Sequence, residues 1–143
     1  MKHCLHIILF LLLLAAAVPA AERAAGYVLV VNRNNPVNSI TEQEANLIFL
    51  GKKTVWPGGH SVTIVLQEGK RIHAAFVREL LGRSPQQYAN YWKKALFTGT
   101  AIPPRSLKGD SEVKSFVASN RDAVGYISPD ALDTSVRVLE VRK

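Results

Sequence analysis

Val62-Thr63-Ile64-Val65-Leu66-Gln67-Glu68-Gly69-Lys70-Arg71-Ile72-His73-Ala74-Ala75-Phe76-Val77-Arg78-Glu79-Leu80-Leu81-Gly82 changes its apolar rhythm once along its length. Residues 62–66 are an apolar run rich in β-branched side chains, which reads as a strand. After the polar link at 67–70, Ile72, Ala75, Phe76 and Leu80 recur at three- and four-residue spacing. That spacing gives one helical face turned to a core, and Gly82 ends the helix near Leu81. A strand followed at once by an amphipathic helix is the building unit of a fold in which helices cover a sheet.

The alternation continues on both sides. Upstream, residues 27–32 read as a buried first strand, closed by the turn Asn32-Arg33-Asn34-Asn35-Pro36. Thr41-Glu42-Gln43-Glu44 is a capping box, in which a hydroxyl and a carboxylate three residues apart each satisfy a free N–H at a helix start. Ala45, Ile48 and Phe49 share a face of that helix, and Gly51 suits the left-handed conformation that closes it near Leu50. Trp56-Pro57-Gly58-Gly59 is turn chemistry around an aromatic that packs over the core edge. Downstream, Ser84-Pro85-Gln86-Gln87 caps a further helix with Tyr88, Tyr91, Trp92 and Ala95 as its apolar stripe. Residues 97–108, with Gly99, Pro103 and Pro104, read as irregular. A fourth helix over 111–119 turns Val113, Phe116 and Val117 inward, and residues 123–127 and 136–141 read as strands. Together these elements predict an α/β fold, a three-layer-like sandwich with a small mixed β-sheet covered by helices.

Residues 1–20 read differently. Lys2 precedes an apolar run from Leu5 to Val18, and Val18-Pro19-Ala20 is a small-residue exit, the pattern of a cleavable secretory signal. The run is shorter than the ~20 residues that cross a bilayer. Residues 21–143 are then a single domain, expected in the periplasm. Cys4 precedes the apolar run, where it does not invite lipidation, and it is the only cysteine of the chain. The processed protein therefore has neither a disulfide nor a thiol nucleophile, and its stability must come from an apolar core.

The formal charge is +7, or +6 without Lys2, which suits anionic partners in general. The basic residues are dispersed, with no arginine-rich run and no aromatic–basic alternation, so nucleic acid is not an expected partner. His60 and His73 are the histidines of residues 21–143, and neither has a metal-ligand spacing to a carboxylate or a second histidine. Glu42 and Glu44 are explained by capping, and Asp130 and Asp133 lie in a polar loop. No nucleophile motif is present, and Gly58-Gly59 precedes a strand rather than joining one to a helix. The expectation is a protein without catalysis, metal or cofactor.

Ile48-Phe49-Leu50-Gly51-Lys52-Lys53-Thr54-Val55-Trp56, followed by a strand, a helix and later Ala123-Val124-Gly125-Tyr126-Ile127, resembles the phosphate-binding, type 2 periplasmic solute-binding proteins of ABC transporters. The resemblance spans residues 32–141. It implies a protein of two α/β lobes closing on an oxyanion, of which this chain has the length of one. In that family a serine- and threonine-rich glycine turn between the second strand and the next helix grips the ligand. Here the turn is Gln67-Glu68-Gly69-Lys70-Arg71, with no hydroxyl and with a carboxylate that repels anions.

Lys70 and Arg71 fall in the first turn of a helix, where the macrodipole disfavours each cation by ~0.3–1 kcal/mol. One reading makes this a site: Gly69 lets the backbone approach an oxyanion such as phosphate, Lys70 and Arg71 neutralise it, and Thr98, Gly99 and Thr100 add donors to the same cleft. The other makes the two cations solvated charge beside Glu68 and the threonines an ordinary turn. His73, one turn into the helix, borders either arrangement. Two functions follow: a solute-binding module linked to an ABC transporter, or an interaction module that kept the lobe, lost the ligand and binds an envelope protein. The sequence leaves open whether two copies pair as a homodimer to rebuild a two-jawed cleft.

Overall fold

The computed structural model describes residues 26–143; the expected signal at 1–20 lies outside them. The first strand, β1 (Val28–Val31), leads through an asparagine-rich turn to β2 (Ser39–Thr41), α1 (Glu42–Phe49) and β3 (Thr63–Gln67). Two consecutive helices follow, α2 (Lys70–Leu81) and α3 (Pro85–Thr98), then β4 (Arg105–Leu107), α4 (Asp110–Ser119) and β5 (Ala123–Ile127). A 3-10 turn (Pro129–Ala131) precedes β6 (Arg137–Val138) and β7 (Glu140–Arg142).

The main sheet has the order β4-β3-β5-β1-β6. β3 runs parallel to β4 and β5, while β1 is antiparallel to both of its neighbours, with Val30 opposite Gly125 on one side and Val138 on the other. Alternation along each strand divides the core in two. Leu29, Val31, Leu66, Val124 and Tyr126 pack with α1, α2 and α3, whereas Val30, Val65, Ala123 and Ile127 pack with α4. This is the expected three-layer sandwich on a mixed sheet. Among the described residues, both apolar clusters draw on residues between Tyr27 and Val141.

Local signals were reliable guides to the helices. Thr41 and Ser84 each form the full capping box with Glu44 and Gln87, and α2 has the bounds its periodicity predicts. The end of α1 is held from outside: the hydroxyls of Tyr88 and Tyr91 donate to the carbonyls of Phe49 and Leu50 at 2.6 and 2.5 Å. Gly51 follows at φ +69°, and the indole of Trp92 fills the space beside it; a Cβ there would lie 2.8 Å from the ring. Trp56 is buried and donates its indole N–H to the Asp122 carbonyl, as expected of a packing residue. Phe116 is half-buried rather than enclosed.

Two expectations need correction, for residues 97–108 and 136–141, and one strand, at 39–41, is additional to those expected. Residues 97–108 are not wholly irregular, because α3 continues through Thr98 and Arg105–Leu107 pairs with β3 as a short edge strand. Ser39–Thr41 is a strand, pairing in parallel with β7 in a separate two-stranded sheet. Residues 136–141 are two strands, not one. The chain leaves the main sheet at the buried Leu139, whose N–H still donates to the Leu29 carbonyl, and Glu140 N–H bonds instead to Asn38. The loop that receives it is fastened by Arg137, which donates to the carbonyls of Asn35 and Val37 at 2.7 and 2.8 Å.

Gly125 lies in β5 directly beneath α4: a Cβ there would meet Val113 at 2.8 Å and Val65 at 2.9 Å. Both neighbours are fully buried and β-branched, with little rotamer freedom to retreat. Gly125→Ala is therefore expected to destabilise the domain by about 1–3 kcal/mol through overpacking, measured by urea unfolding. A neutral or stabilising result would show that α4 is free to move outward.

Candidate functional site

The carboxyl end of β3 is where the strand, α2 and the start of α4 meet, and one side chain organises it. Gln67 is 3% exposed. Its amide nitrogen donates to Asp110 Oδ1 at 2.9 Å and to the Tyr126 carbonyl at 2.8 Å, while its backbone N–H donates to the Tyr126 hydroxyl at 3.1 Å. Asp110 Oδ1 also accepts from the Ser128 N–H at 3.0 Å, so a single carboxylate ties the ends of β3 and β5 to the first turn of α4. Nothing in the local sequence signals this hub, because its bonds join residues 43 and 59 positions apart.

The same hub reaches His73. The Tyr126 hydroxyl lies 2.5 Å from His73 Nδ1. Burial pushes the Tyr126 phenol well above its ordinary range, so it keeps its proton, and burial pulls the His73 imidazole below its own. Tyr126 accepts from Gln67, and its O–H is satisfied when it donates to Nδ1 of a neutral ring whose proton is on Nε2, the tautomer assigned from the hydrogen-bond pattern. His73 lines a groove of about 410 Å³ walled by Leu66, Tyr88, Trp92, Pro103 and Pro104, with Gln67 and Glu68 at its polar end. Trp92 Nε1 is buried without a hydrogen-bond partner among the described residues. The arrangement offers stacking surface and a fixed N–H donor. Among the described residues there is no grouping of three or more His, Cys, Asp or Glu side chains able to hold a metal.

Gly69, Lys70 and Arg71 lie where the spacing put them, at the cap and first turn of α2, with both cations exposed. No side chain caps this helix and no acid occupies its first turn. Neither cation forms an ion pair with a carboxylate, Glu68 included, among the described residues. The glycine has an internal reason as well: a Cβ at Gly69 would fall 2.6 Å from Gln67 Oε1, and Gln67 is held by its two amide bonds.

Thr98, Gly99 and Thr100 lie elsewhere. Thr98 and Thr100 line a different groove, of about 520 Å³, with Lys52, Tyr91 and Lys94. Lys70 and Arg71 line neither groove, so the two sets of expected ligand groups are not brought into one cavity. The threonine hydroxyls are also engaged at home, Thr98 with the Lys94 carbonyl at 2.8 Å and Thr100 with the Ala95 carbonyl at 3.4 Å. They close the end of α3, for which the sequence carried the signal in the αL-favouring Gly99.

No protein-family model and no curated protein matches the chain. Solved structures do. A putative phosphate ABC transporter substrate-binding protein with bound phosphate from Clostridium perfringens is 28% identical, over 81% of this chain and 44% of its own, at a TM-score of 0.62. An ABC-type phosphate transport receptor from Vibrio cholerae is 24% identical, over 82% and 46%, at 0.63. PstS from Borrelia burgdorferi is 14% identical, over 82% and 47%, at 0.59. This chain spans less than half the length of each and has the fold of one lobe of such phosphate-binding-type proteins.

The burial of His73 gives a pH dependence with a definite sign. A base whose folded pKa is lowered is neutral in the fold, so below about pH 6.5 the unfolded chain takes up a proton that the fold resists. Stability then falls as pH falls. Glu44, held near a pKa of about 2 chiefly by its bond from Lys53, acts with the same sign in a lower window: its stabilisation is lost as pH falls from the ordinary carboxylate value of 4.5 towards about 2. The urea midpoint is expected to drop between about pH 7.5 and about pH 5.5, and His73→Asn, which keeps an acceptor towards Tyr126, to flatten that slope. An unchanged slope in the variant would assign the titration to another group.

Proposed function

We propose that this protein is an exported, periplasmic, non-catalytic solute-binding module that holds a small oxyanion such as phosphate at the start of α2, in connection with ABC-type transport. The observation that supports this most is the open helix end. α1 and α3 each commit a hydroxyl and a carboxylate or carboxamide to their first turns, whereas α2 commits none and places Lys70 and Arg71 there. The His73 N–H takes the Gly69 carbonyl as its acceptor, so the amides before it, from Gly69 to Ile72, precede the first helical bond. Free N–H groups, a positive dipole end and two unpaired cations are the components of an oxyanion site. The relative from Clostridium perfringens was solved with bound phosphate, which supports the ligand class.

A second reading, an interaction module without a small ligand, is favoured by a separate observation. Leu96, Phe97 and Ile102 are exposed to 61%, 93% and 87%. Glu68, beside the α2 turn, also opposes an anion there.

Calorimetric titration of residues 21–143 with phosphate and then sulfate, at low and physiological salt, separates the two. The proposal expects saturable binding that weakens at least about tenfold in Lys70→Ala/Arg71→Ala, through loss of charge-assisted contacts. Absence of heat at millimolar phosphate would replace it with the interaction reading.

A further inference from the structure

The end of α3 and the loop to β4 form a second surface, independent of the α2 turn. Elsewhere among the described residues the exposed large apolar side chains, Val55, Leu132 and Val138, reach only 39–44%, whereas Phe97 and Ile102 are almost wholly exposed and Leu96 largely so, all within seven consecutive residues. An apolar cluster of this kind has to meet something. Its electrostatic setting says what. From Leu80 to Gly109 the chain has no carboxylate, but it has Arg83, Lys93, Lys94, Arg105 and Lys108. Lys93 and Lys94 are exposed on the same turn of α3 as Leu96 and Phe97, and neither joins an ion pair among the described residues. Lys94 also lines the 520 Å³ groove with Lys52.

We propose that this surface docks on an anionic phospholipid membrane, with Phe97, Leu96 and Ile102 entering the interfacial layer and Lys93 and Lys94 at the headgroup phosphates. Three features select that occupant. Leu96 and Phe97 project at the helix end and line none of the grooves described, Ile102 is 87% exposed at the edge of another groove of about 440 Å³, and a deformable bilayer accepts such projections without a preformed pocket. Cations beside them are attracted to an anionic leaflet and repelled by a second copy, since an isologous dimer would set one basic patch without a carboxylate against another. The groove that Lys52 and Lys94 line, at the flank, has a volume of about 520 Å³, room for a headgroup. Among the described residues no helix is long and apolar enough to cross a membrane, so the contact is peripheral.

Residues 21–143, which carry both apolar clusters described above, are sedimented with vesicles of phosphatidylcholine alone and of an equal mixture with phosphatidylglycerol, at low and high salt. The segment before residue 21 is left out because its own apolar run partitions into lipid. Binding is expected only to the anionic vesicles and to fall with salt. Phe97→Ser/Ile102→Ser, at exposed positions, is expected to weaken it at least tenfold, and Lys93→Gln/Lys94→Gln roughly thirtyfold at low salt. Retention of the phosphate titration by the serine variant would confirm its fold and keep this proposal separable from the one for α2. Equal binding to both vesicles, no binding, or binding untouched by either variant overturns the proposal. So does a dimer in sedimentation equilibrium that the serine variant dissociates without any vesicle binding, which would assign the surface to self-association.

Discussion

A sheet apolar on both faces is the constraint from which the rest of this structure follows. β1 and β5 present branched and aromatic side chains alternately up and down with almost no polar interruption, so neither face is able to meet water. Three helices cover one side and α4 covers the other. Covering two faces with so short a chain leaves little tolerance in thickness, which is why β5 carries a glycine where α4 crosses it. It also commits the aromatic residues: Phe49, Phe76, Tyr88 and Tyr126 interlock beneath α2 and α3, with the Phe76 and Tyr126 rings stacked 3.8 Å apart.

The sequence was most legible where structure is local. The two capping boxes, the bounds of α2 and the first strand are each encoded within a few residues, by hydroxyl spacing, by helical periodicity and by a branched apolar run. Legibility failed where partners are distant and segments short. β2 and β7 have three residues each and exist because Ser39–Thr41 and Glu140–Arg142 find one another across a hundred residues. β4 has three residues at a sheet edge and too few for any period to register. The break at Leu139 leaves only the adjacent apolar pair Val138-Leu139 as its trace in the run, because both halves are strands and only their partners differ.

The candidate site divides in the same way. Lys70 and Arg71 were legible as misplaced cations on a helix whose start was correctly located. Gln67 was not, since a glutamine at a strand end looks like a linker until Asp110 and Tyr126 close on it. Thr98 and Thr100 looked like free donors because sequence does not reveal that a helix's last carbonyls already use them. What the hub around Gln67 provides is rigidity at the rim. The turn that carries the cations is anchored at one end by the bonds of Gln67 to two other elements, β5 and α4, so whatever approaches it meets a fixed geometry.

The position of β1 has a consequence for how the chain acquires its structure in time. Its two neighbours in the sheet, β5 and β6, come from the last quarter of the chain, with Val31 opposite Val124 and Arg137. A polypeptide that emerges amino end first, from a ribosome or through a narrow channel, therefore holds its opening strand without partners until almost everything else has appeared. Completion of the sheet then waits on closure over long separations. A chain so wired remains threadable until residues 123–138 are free.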